Sequence, residues 1–453
     1  MPALETLIRP PSGNEVAKPL LATSWEIAPD GKSITFILRR GVKFHDGTDF
    51  NAQAVKYNFD LHIQAKTPEF ALVTSVDVVD DYRVRLNLSQ WNSMLFFWLG
   101  IHVGLINSPT AIKNNGVDWA MRNPVGTGPF KLASFEKDVS IKYQRFEGYW
   151  DKGKPYLDGV EYLYIKDPLV AAAAFQAGQA DLWWISGGVS PKSVSELQAK
   201  GYTAISIPSS AISLFPDSKN TDSPFADKRV RQAVEYAIDK PAIAKALGYG
   251  FWEPLDQPTG NGYPSYNTDL KPRSYDPAKA KQLLADAGYS KGLKITLTYQ
   301  TGTIDKDALV AVQRFLGEVG IEVTIDPADA GRWLVYRQQG WKNGLIAQTF
   351  SIMNRNNFFH GAVNAFPPDY FLAASALRPT GYAELVNQGL AAKDFDSLKT
   401  LGQKAVRLLF EETAFIPLYS TKSSAVKQRS VRDDGHMEVH SVLWYPADTW
   451  ISK

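Results

Sequence analysis

Strand-like and helical patterns alternate along the chain without a fixed repeat, and this alternation most constrains the fold. Residues 23–27 and 33–38 alternate in polarity around a turn at Asp30 and Gly31, which predicts a β-hairpin. Helical spacing follows at residues 52–63, with Asn51 suited to cap the helix. A longer helix is predicted over residues 224–247, and further helices and strands follow it. The sequence therefore predicts an α/β fold.

Composition excludes several classes of protein. With 453 residues the chain is long enough for two or three domains. A formal net charge of +2 is too small to indicate a nucleic-acid partner. The absence of cysteine excludes disulfides and thiolate metal sites. No apolar run is long enough to span a membrane, and residues 1–8 lack the basic and apolar regions of a signal peptide, so we expect no leader in this chain.

Motifs of catalysis and metal binding are not found. The sequence contains no P-loop, no G-x-S-x-G and no H-E-x-x-H. Gly126 and Gly128 resemble the start of a phosphate loop, but Pro129 breaks that pattern and indicates a turn. His436 and His440 are four residues apart in strand-like sequence, where that spacing does not make a metal pair. We therefore predict no enzyme activity, no cofactor and no metal site.

Seven blocks in a fixed order carry a family resemblance that covers nearly the whole chain. The first is residues 25–48, WEIAPDGKSITFILRRGVKFHDGT. The others are NPVGTGPFKL at 123–132, YW at 149–150, PYLDGV at 155–160, FQAGQAD at 175–181, PFADKRVRQAVEYAIDK at 224–240 and YDPAKAKQLLADAG at 275–288. Together they resemble the family 5 extracellular solute-binding proteins of ABC importers, which include oligopeptide-, dipeptide- and nickel-binding proteins.

The resemblance implies a two-lobed fold like that of periplasmic binding proteins of the class II type, with an extra small domain inserted in the first lobe. It implies a first lobe of residues 1–21, 124–219 and 431–453, an inserted domain of 22–123 and a second lobe of 220–430. The close packing that glycine permits gives Gly126 and Gly128 a structural role in this fold.

The resemblance also implies a function. The chain would be a monomer that captures a small solute in an interlobe cleft and delivers it to the permease subunits of an ABC importer. Its location would be periplasmic or lipid-anchored at the cell surface. Two alternatives use the same fold: a binder of oligopeptides or nickel chelates, and a sensory or chaperone-like binder. A secreted carbohydrate-active enzyme is a third class, but no pair of carboxylates suggests it.

One loop bears on the solute. In peptide-binding relatives an Asp that follows a Gly-Trp strand end pairs with the α-ammonium of the peptide. Here Phe350 takes the place of the Trp and Met353 that of the Asp, and no acidic residue lies between Gly344 and Asp369. The sequence therefore predicts a sugar, a carboxylated solute or another polar or aromatic solute, and not a peptide with a free N-terminus.

The predicted ligand-binding residues come from three stretches, which the resemblance implies lie near the ligand. Aromatic and amide side chains suit polar solutes, and a guanidinium suits a carboxylate. Trp183 and Trp184 are neighbours in a predicted strand, so only one of them faces the ligand. For Phe350 and Asn354 a packing or solvated role is an equal alternative. The predicted residues are Trp183, Trp184, Phe350, Asn354, Arg355, His360 and Tyr419.

Overall fold

The structure is a computed structural model that describes residues 2–10, 17–185, 191–352, 357–433 and 444–452. The chain folds into two compact units: unit 1 is Met1–Trp183 with Val426–Lys453, and unit 2 is Trp184–Ala425. It therefore passes twice between the units. The predicted three-part division, with boundaries near residues 220 and 430, stays a prediction.

Unit 1 consists of short strands with few helices. Its strands are β1 (Glu5–Thr6), β2 (Ile8–Arg9), β3 (Lys18–Pro19), β4 (Ala22–Ile27), β5 (Ser33–Leu38), β6 (Val73–Asp80), β7 (Arg83–Leu88), β8 (Leu105–Ile106), β9 (Phe130–Glu136), β10 (Ser140–Arg145), β11 (Gly159–Leu163) and β12 (Leu182–Ile185), which continues into unit 2; β19 (Val431–Arg432) and β20 (Trp450–Ile451) follow the return from unit 2. Its helices are α1 (Ala52–Gln64), α2 (Leu95–Leu99), α3 (Pro109–Asn115), α4 (Val117–Ala120) and α5 (Pro168–Gln176).

The predicted hairpin and the helix that follows it are confirmed. β4 and β5 pair antiparallel in a sheet of order β4-β5-β7-β6. In the turn, Gly31 has a φ of +72°, and Asp30 Oδ1 accepts the backbone N–H of Lys32 at 2.8 Å. Asn51 Oδ1 accepts the N–H of Ala54 at 3.0 Å and caps α1. The local signals in the sequence therefore determine this part of unit 1.

The glycine turn before β9 packs directly on the N-terminal segment. A Cβ on Gly126 would lie 2.1 Å from the carbonyl oxygen of Ala3, and one on Gly128 would lie 2.4 Å from that of Pro2. The backbone of Gly128 also donates to the Ala3 carbonyl at 3.1 Å. The predicted structural role of both glycines is confirmed, because no larger residue permits this approach.

A buried carboxylate holds the same region together. Glu5 accepts hydrogen bonds from Thr127 Oγ1 at 2.8 Å, from the Tyr149 hydroxyl at 2.8 Å and from Trp150 Nε1 at 2.9 Å. Burial raises the pKa of Glu5, and the three donors act in the opposite direction. The N-terminal strand is thereby tied to residues more than 120 positions later in the chain.

Unit 2 contains the larger sheet and most of the helices. Its strands are β13 (Thr203–Pro216), β14 (Trp252–Pro254), β15 (Leu293–Gln300), β16 (Ile321–Ala328), β17 (Gly344–Ser351) and β18 (Ile416–Lys427), whose last residues belong to unit 1. Its helices are α6 (Pro191–Ala199), α7 (Lys228–Ala237), α8 (Lys240–Gly248), α9 (Pro277–Asp286), α10 (Lys306–Glu318), α11 (Ala330–Gln339), α12 (Phe358–Ala365), α13 (Tyr382–Ala391) and α14 (Phe395–Glu411).

The large sheet is mixed. Its strand order is β12-β18-β13-β17-β15-β16, with β14 also paired to β18. β15 runs parallel to β16 and β17, whereas β13 and β17 are antiparallel. Phe215, Phe350 and Phe415 belong to an apolar cluster that also includes residues of α11 to α14. This cluster is the main core that supports β13 and β17.

The long helix predicted over residues 224–247 is wrong. The structure has a short 3-10 turn at Pro224–Ala226 and then two helices, α7 and α8. Pro241 explains the break, because it has no N–H and its ring would clash with the carbonyl of Ala237 in a continuous helix. Asp239 begins the second helix by accepting the N–H of Ala242 at 2.9 Å.

Candidate functional site

β13 changes its exposure halfway along its length. Its residues up to Ser210 are half-buried or exposed, whereas Ala211 to Pro216 are all buried. β18 shows a similar interruption, with half-buried side chains at Thr421, Lys422 and Ser423 between buried ones. These half-buried segments lie on two neighbouring strands of the sheet of unit 2, and we call them the opening.

Three hydroxyl residues lie on neighbouring strands at this opening, and we call Ser210, Ser351 and Thr421 the hydroxyl row. Ser210 on β13 lies directly opposite Ser351 on β17. On the other side, Thr421 Oγ1 of β18 donates to the carbonyl oxygen of Ser210 at 3.4 Å. The Ser210 hydroxyl has no hydrogen-bond partner among the described residues, and its side chain is half-buried.

His360 contacts Ser351, the residue at one end of the hydroxyl row. Its Nδ1 lies 3.3 Å from Ser351 Oγ, and the His360 side chain is buried. The first turn of α12 reaches the end of β17 because residue 361 is glycine: a Cβ there would lie 2.4 Å from the carbonyl oxygen of Ser351. Asn357 Oδ1 caps the helix by accepting the N–H of Phe359 at 3.0 Å.

The strand segments that carry the hydroxyl row lack the acidic side chains by which proteins bind cations. Its strand segments, residues 205–210, 349–351 and 420–424, contain no acidic residue and one cation, Lys422. Lys422 pairs with Glu253 of β14, with Nζ and Oε1 2.7 Å apart. The segments therefore offer neutral hydroxyl groups, which can both donate and accept hydrogen bonds.

Phe350 and Tyr419, both predicted as ligand contacts, lie in packed surroundings. Phe350 is 1% exposed and stacks on Phe358 and Phe415, with ring centroids 5.5 and 5.7 Å apart. Tyr419 is also 1% exposed and stacks on Trp252 at 4.2 Å. Burial raises the pKa of the Tyr419 hydroxyl. These placements favour the packing role for both side chains.

The two adjacent tryptophans differ in their surroundings. Trp183 is half-buried, with its ring centroid 6.4 Å from that of Phe175 in unit 1. Trp184, the first residue of unit 2, is 40% exposed. Opposite orientations are what neighbours in a strand adopt. This difference favours Trp184 as the ligand platform, a role that stays a prediction.

Three predicted ligand-binding residues remain, and the structure describes one of them. His360 joins the hydroxyl row through Ser351, whereas Asn354 and Arg355 lie outside the described residues. Ser210, Ser351 and Thr421 were not among the predicted site residues. The signal that points to two of them is local: serine and threonine interrupt apolar strands at IPSSAIS and PLYSTKSSAV.

Within the described ranges, no group of three or more His, Asp or Glu side chains is arranged to hold a metal ion. Among the helices that the structure describes, none combines the length and apolar character needed to cross a membrane.

Comparisons with known proteins give consistent matches. The family model "Bacterial extracellular solute-binding proteins, family 5 Middle" matches residues 16–374. Two curated relatives are named glutathione-binding protein GsiB: one from Salmonella choleraesuis is 35% identical over 328 residues, and one from Pectobacterium atrosepticum is 32% identical over 323 residues. These alignments cover 70% and 69% of this chain, but only 62% and 61% of the relatives.

A solved structure matches over nearly its whole length. NikA from Brucella suis, in complex with Fe(III)-EDTA, is 26% identical, with a TM-score of 0.87. The match covers 99% of this chain and 94% of that one. The predicted fold class, α/β and periplasmic-binding-protein-like, is confirmed by these matches.

Proposed function

Because the chain belongs to family 5 of the bacterial extracellular solute-binding proteins of ABC importers, we propose that it captures a small solute with two or more carboxylate groups. We propose further that it delivers this solute to the permease of an importer from an extracytoplasmic location. Relatives that resemble the chain are named as binding proteins, which favours capture over catalysis. The interlobe cleft and the monomeric state stay predictions.

The hydroxyl row is the main reason for proposing a solute with carboxylate groups. Hydroxyl groups form short, strong hydrogen bonds when the acceptor is an ionised carboxylate. The row lies in strand segments without any acidic residue, so no fixed negative charge in those segments opposes an anion. Glu253 of the neighbouring strand β14 is paired with Lys422 at 2.7 Å.

The loop after β17 gives a second argument. No acidic residue lies between Gly344 and Asp369, where peptide-binding relatives place the carboxylate that holds the peptide amine. An ammonium buried without a partner costs several kcal/mol. Capture of ordinary peptides through their N-terminus is therefore disfavoured. Glutathione also carries an ammonium, but that group shares a carbon atom with a carboxylate, which supplies its counter-charge within the ligand.

The ligands of similar proteins support the same class. The two curated relatives are named for glutathione, a γ-linked tripeptide with two carboxylates. The similar solved structure holds Fe(III)-EDTA, a chelate built on four carboxylates. Both ligands are small and rich in carboxylate.

A thermal-shift panel tests the proposal with glutathione, Fe(III)-EDTA, trialanine and maltotriose. A ligand that binds only the native state at 100 times its Kd adds about 2.7 kcal/mol of stability. We expect glutathione or Fe(III)-EDTA to raise the melting temperature by several degrees, and the other two to leave it unchanged.

Each contrary result points to a named alternative. An equal shift with trialanine would restore peptide capture and overturn the argument from the loop. A shift with maltotriose alone would make the solute a neutral sugar. Acetate, which has a single carboxylate, and free iron serve as controls for weak anion or metal effects.

A further inference from the structure

We propose that Ser351, oriented by His360, determines the specificity of the site by donating its hydroxyl proton to one carboxylate of the solute. This inference rests on the proposed function, since it assigns a role within the same site. It identifies a single hydrogen bond by which the protein distinguishes an acid from its ester.

The contact between His360 and Ser351 determines whether the Ser351 hydroxyl can donate a hydrogen bond to a ligand. A serine hydroxyl has one proton and two acceptor lone pairs. When the His360 Nδ1 carries a proton, it donates to Ser351 Oγ across their 3.3 Å separation, and the serine proton is free for a ligand. When Nδ1 is unprotonated, the serine hydroxyl donates its hydrogen bond to the imidazole. It can then only accept hydrogen bonds from a ligand. A carboxylate selects the first arrangement.

Ser210 supplies a second donor beside the first. It lies directly opposite Ser351 on the antiparallel strand, so both side chains leave the sheet on the same face. Opposite residues in such a pair have Cβ atoms about 4.5–5.5 Å apart. The Ser210 hydroxyl has no partner among the described residues. Two hydroxyl donors at this spacing can each bind one oxygen of a carboxylate.

The surroundings fix Ser351 more firmly than Ser210. His360 is buried in α12, and the glycine at 361 brings that helix against the end of β17. The imidazole therefore approaches Ser351 from a rigid element, while Ser210 is held only by its strand. For this reason the geometry assigns the discriminating role to Ser351 and a supporting role to Ser210.

The test compares glutathione with its two monoethyl esters, one at each carboxylate, by isothermal titration calorimetry. Loss of a hydrogen bond to a charged group weakens binding by roughly tenfold or more. We expect the wild type to prefer the acid over one of the two esters by at least that factor. Ser351→Ala should reduce this preference to near one, and Ser210→Ala should reduce it by a smaller factor.

Variants of His360 test its positioning role. His360→Phe should abolish the preference for the acid, and His360→Gln, which keeps a hydrogen-bonding group, should restore part of it. Thr324→Ala, an exposed hydroxyl on β16, is the matched control and should leave the preference unchanged. Melting temperatures of the ligand-free variants show whether each one is folded.

The results distinguish an error in the role of Ser351 from an error in the proposed solute class. If the wild type binds glutathione and Ser351→Ala keeps the same preference over both esters, the assignment of Ser351 is wrong and the proposed function stands. If the wild type binds neither glutathione nor Fe(III)-EDTA, the proposed solute class fails, and the assignment fails with it.

Discussion

Replacing Glu235 by alanine is expected to lower the free energy of unfolding by about 3–5 kcal/mol. The Glu235 carboxylate is 1% exposed and pairs with two cations, the buried Lys240 and the half-buried Arg273. Its oxygens lie 3.2 Å from Lys240 Nζ and 2.7 Å from a terminal nitrogen of Arg273. Removing the carboxylate leaves the buried Lys240 and the largely desolvated Arg273 without their counter-charge, which costs far more than the pairing itself contributes.

An exposed ion pair in unit 2 provides the control for this prediction. Lys294 and Glu322 pair at 2.9 Å, but their side chains are 80% and 68% exposed. Glu322→Ala should therefore change stability by less than about 1 kcal/mol. Urea denaturation followed by tryptophan fluorescence measures both variants. A loss for Glu235→Ala no larger than that for Glu322→Ala would contradict the account.

Acid is expected to destabilise unit 1 through His45. Its Nε2 donates to the carbonyl of Gly128 at 2.8 Å, and its buried Nδ1 has no hydrogen-bond partner among the described residues. Burial lowers the pKa of His45 from 6.5 to about 4. Since the folded pKa lies below the unfolded one, the unfolded chain binds the proton first as the pH falls. The stabilising contribution is present above pH 6.5 and is lost as the pH falls towards 4, at most about 3 kcal/mol in all.

A glutamine at position 45 isolates this contribution from the acidic residues that also titrate. Glutamine can donate to the Gly128 carbonyl but carries no proton equilibrium in this range. His45→Gln should therefore lose less stability than the wild type between pH 7 and pH 4.5, as measured by urea denaturation at each pH. Parallel pH profiles for the two proteins would show that His45 does not titrate as its surroundings require.

Local features of the fold could be predicted from the sequence because neighbouring residues determine them. The turn at Asp30 and Gly31 and the cap at Asn51 depend on contacts within three residues. The single long helix predicted over residues 224–247 was wrong for a reason that is also local. A proline one residue inside the second helix interrupts it, although the apolar spacing suggested one continuous helix.

The candidate site could be predicted only in part, because long-range pairing creates it. Ser210, Ser351 and Thr421 are 141 and 70 residues apart in sequence, and only the strand order β18-β13-β17 brings them together. Phe350 was predicted as a ligand contact with packing as an equal alternative, and Tyr419 was predicted because its stretch lies near the ligand in relatives of the family. Their stacking partners, Phe358, Phe415 and Trp252, explain why the structure favours packing instead.

The central claim is that the opening at the hydroxyl row binds the solute, and hydrogen-exchange mass spectrometry with and without glutathione tests it most directly. The account predicts slower exchange in residues 203–210 and 420–424 when glutathione is present. It would be contradicted if glutathione left these segments unchanged and protected instead the groove between α13 and α14, which Glu384, Lys404 and Arg407 line.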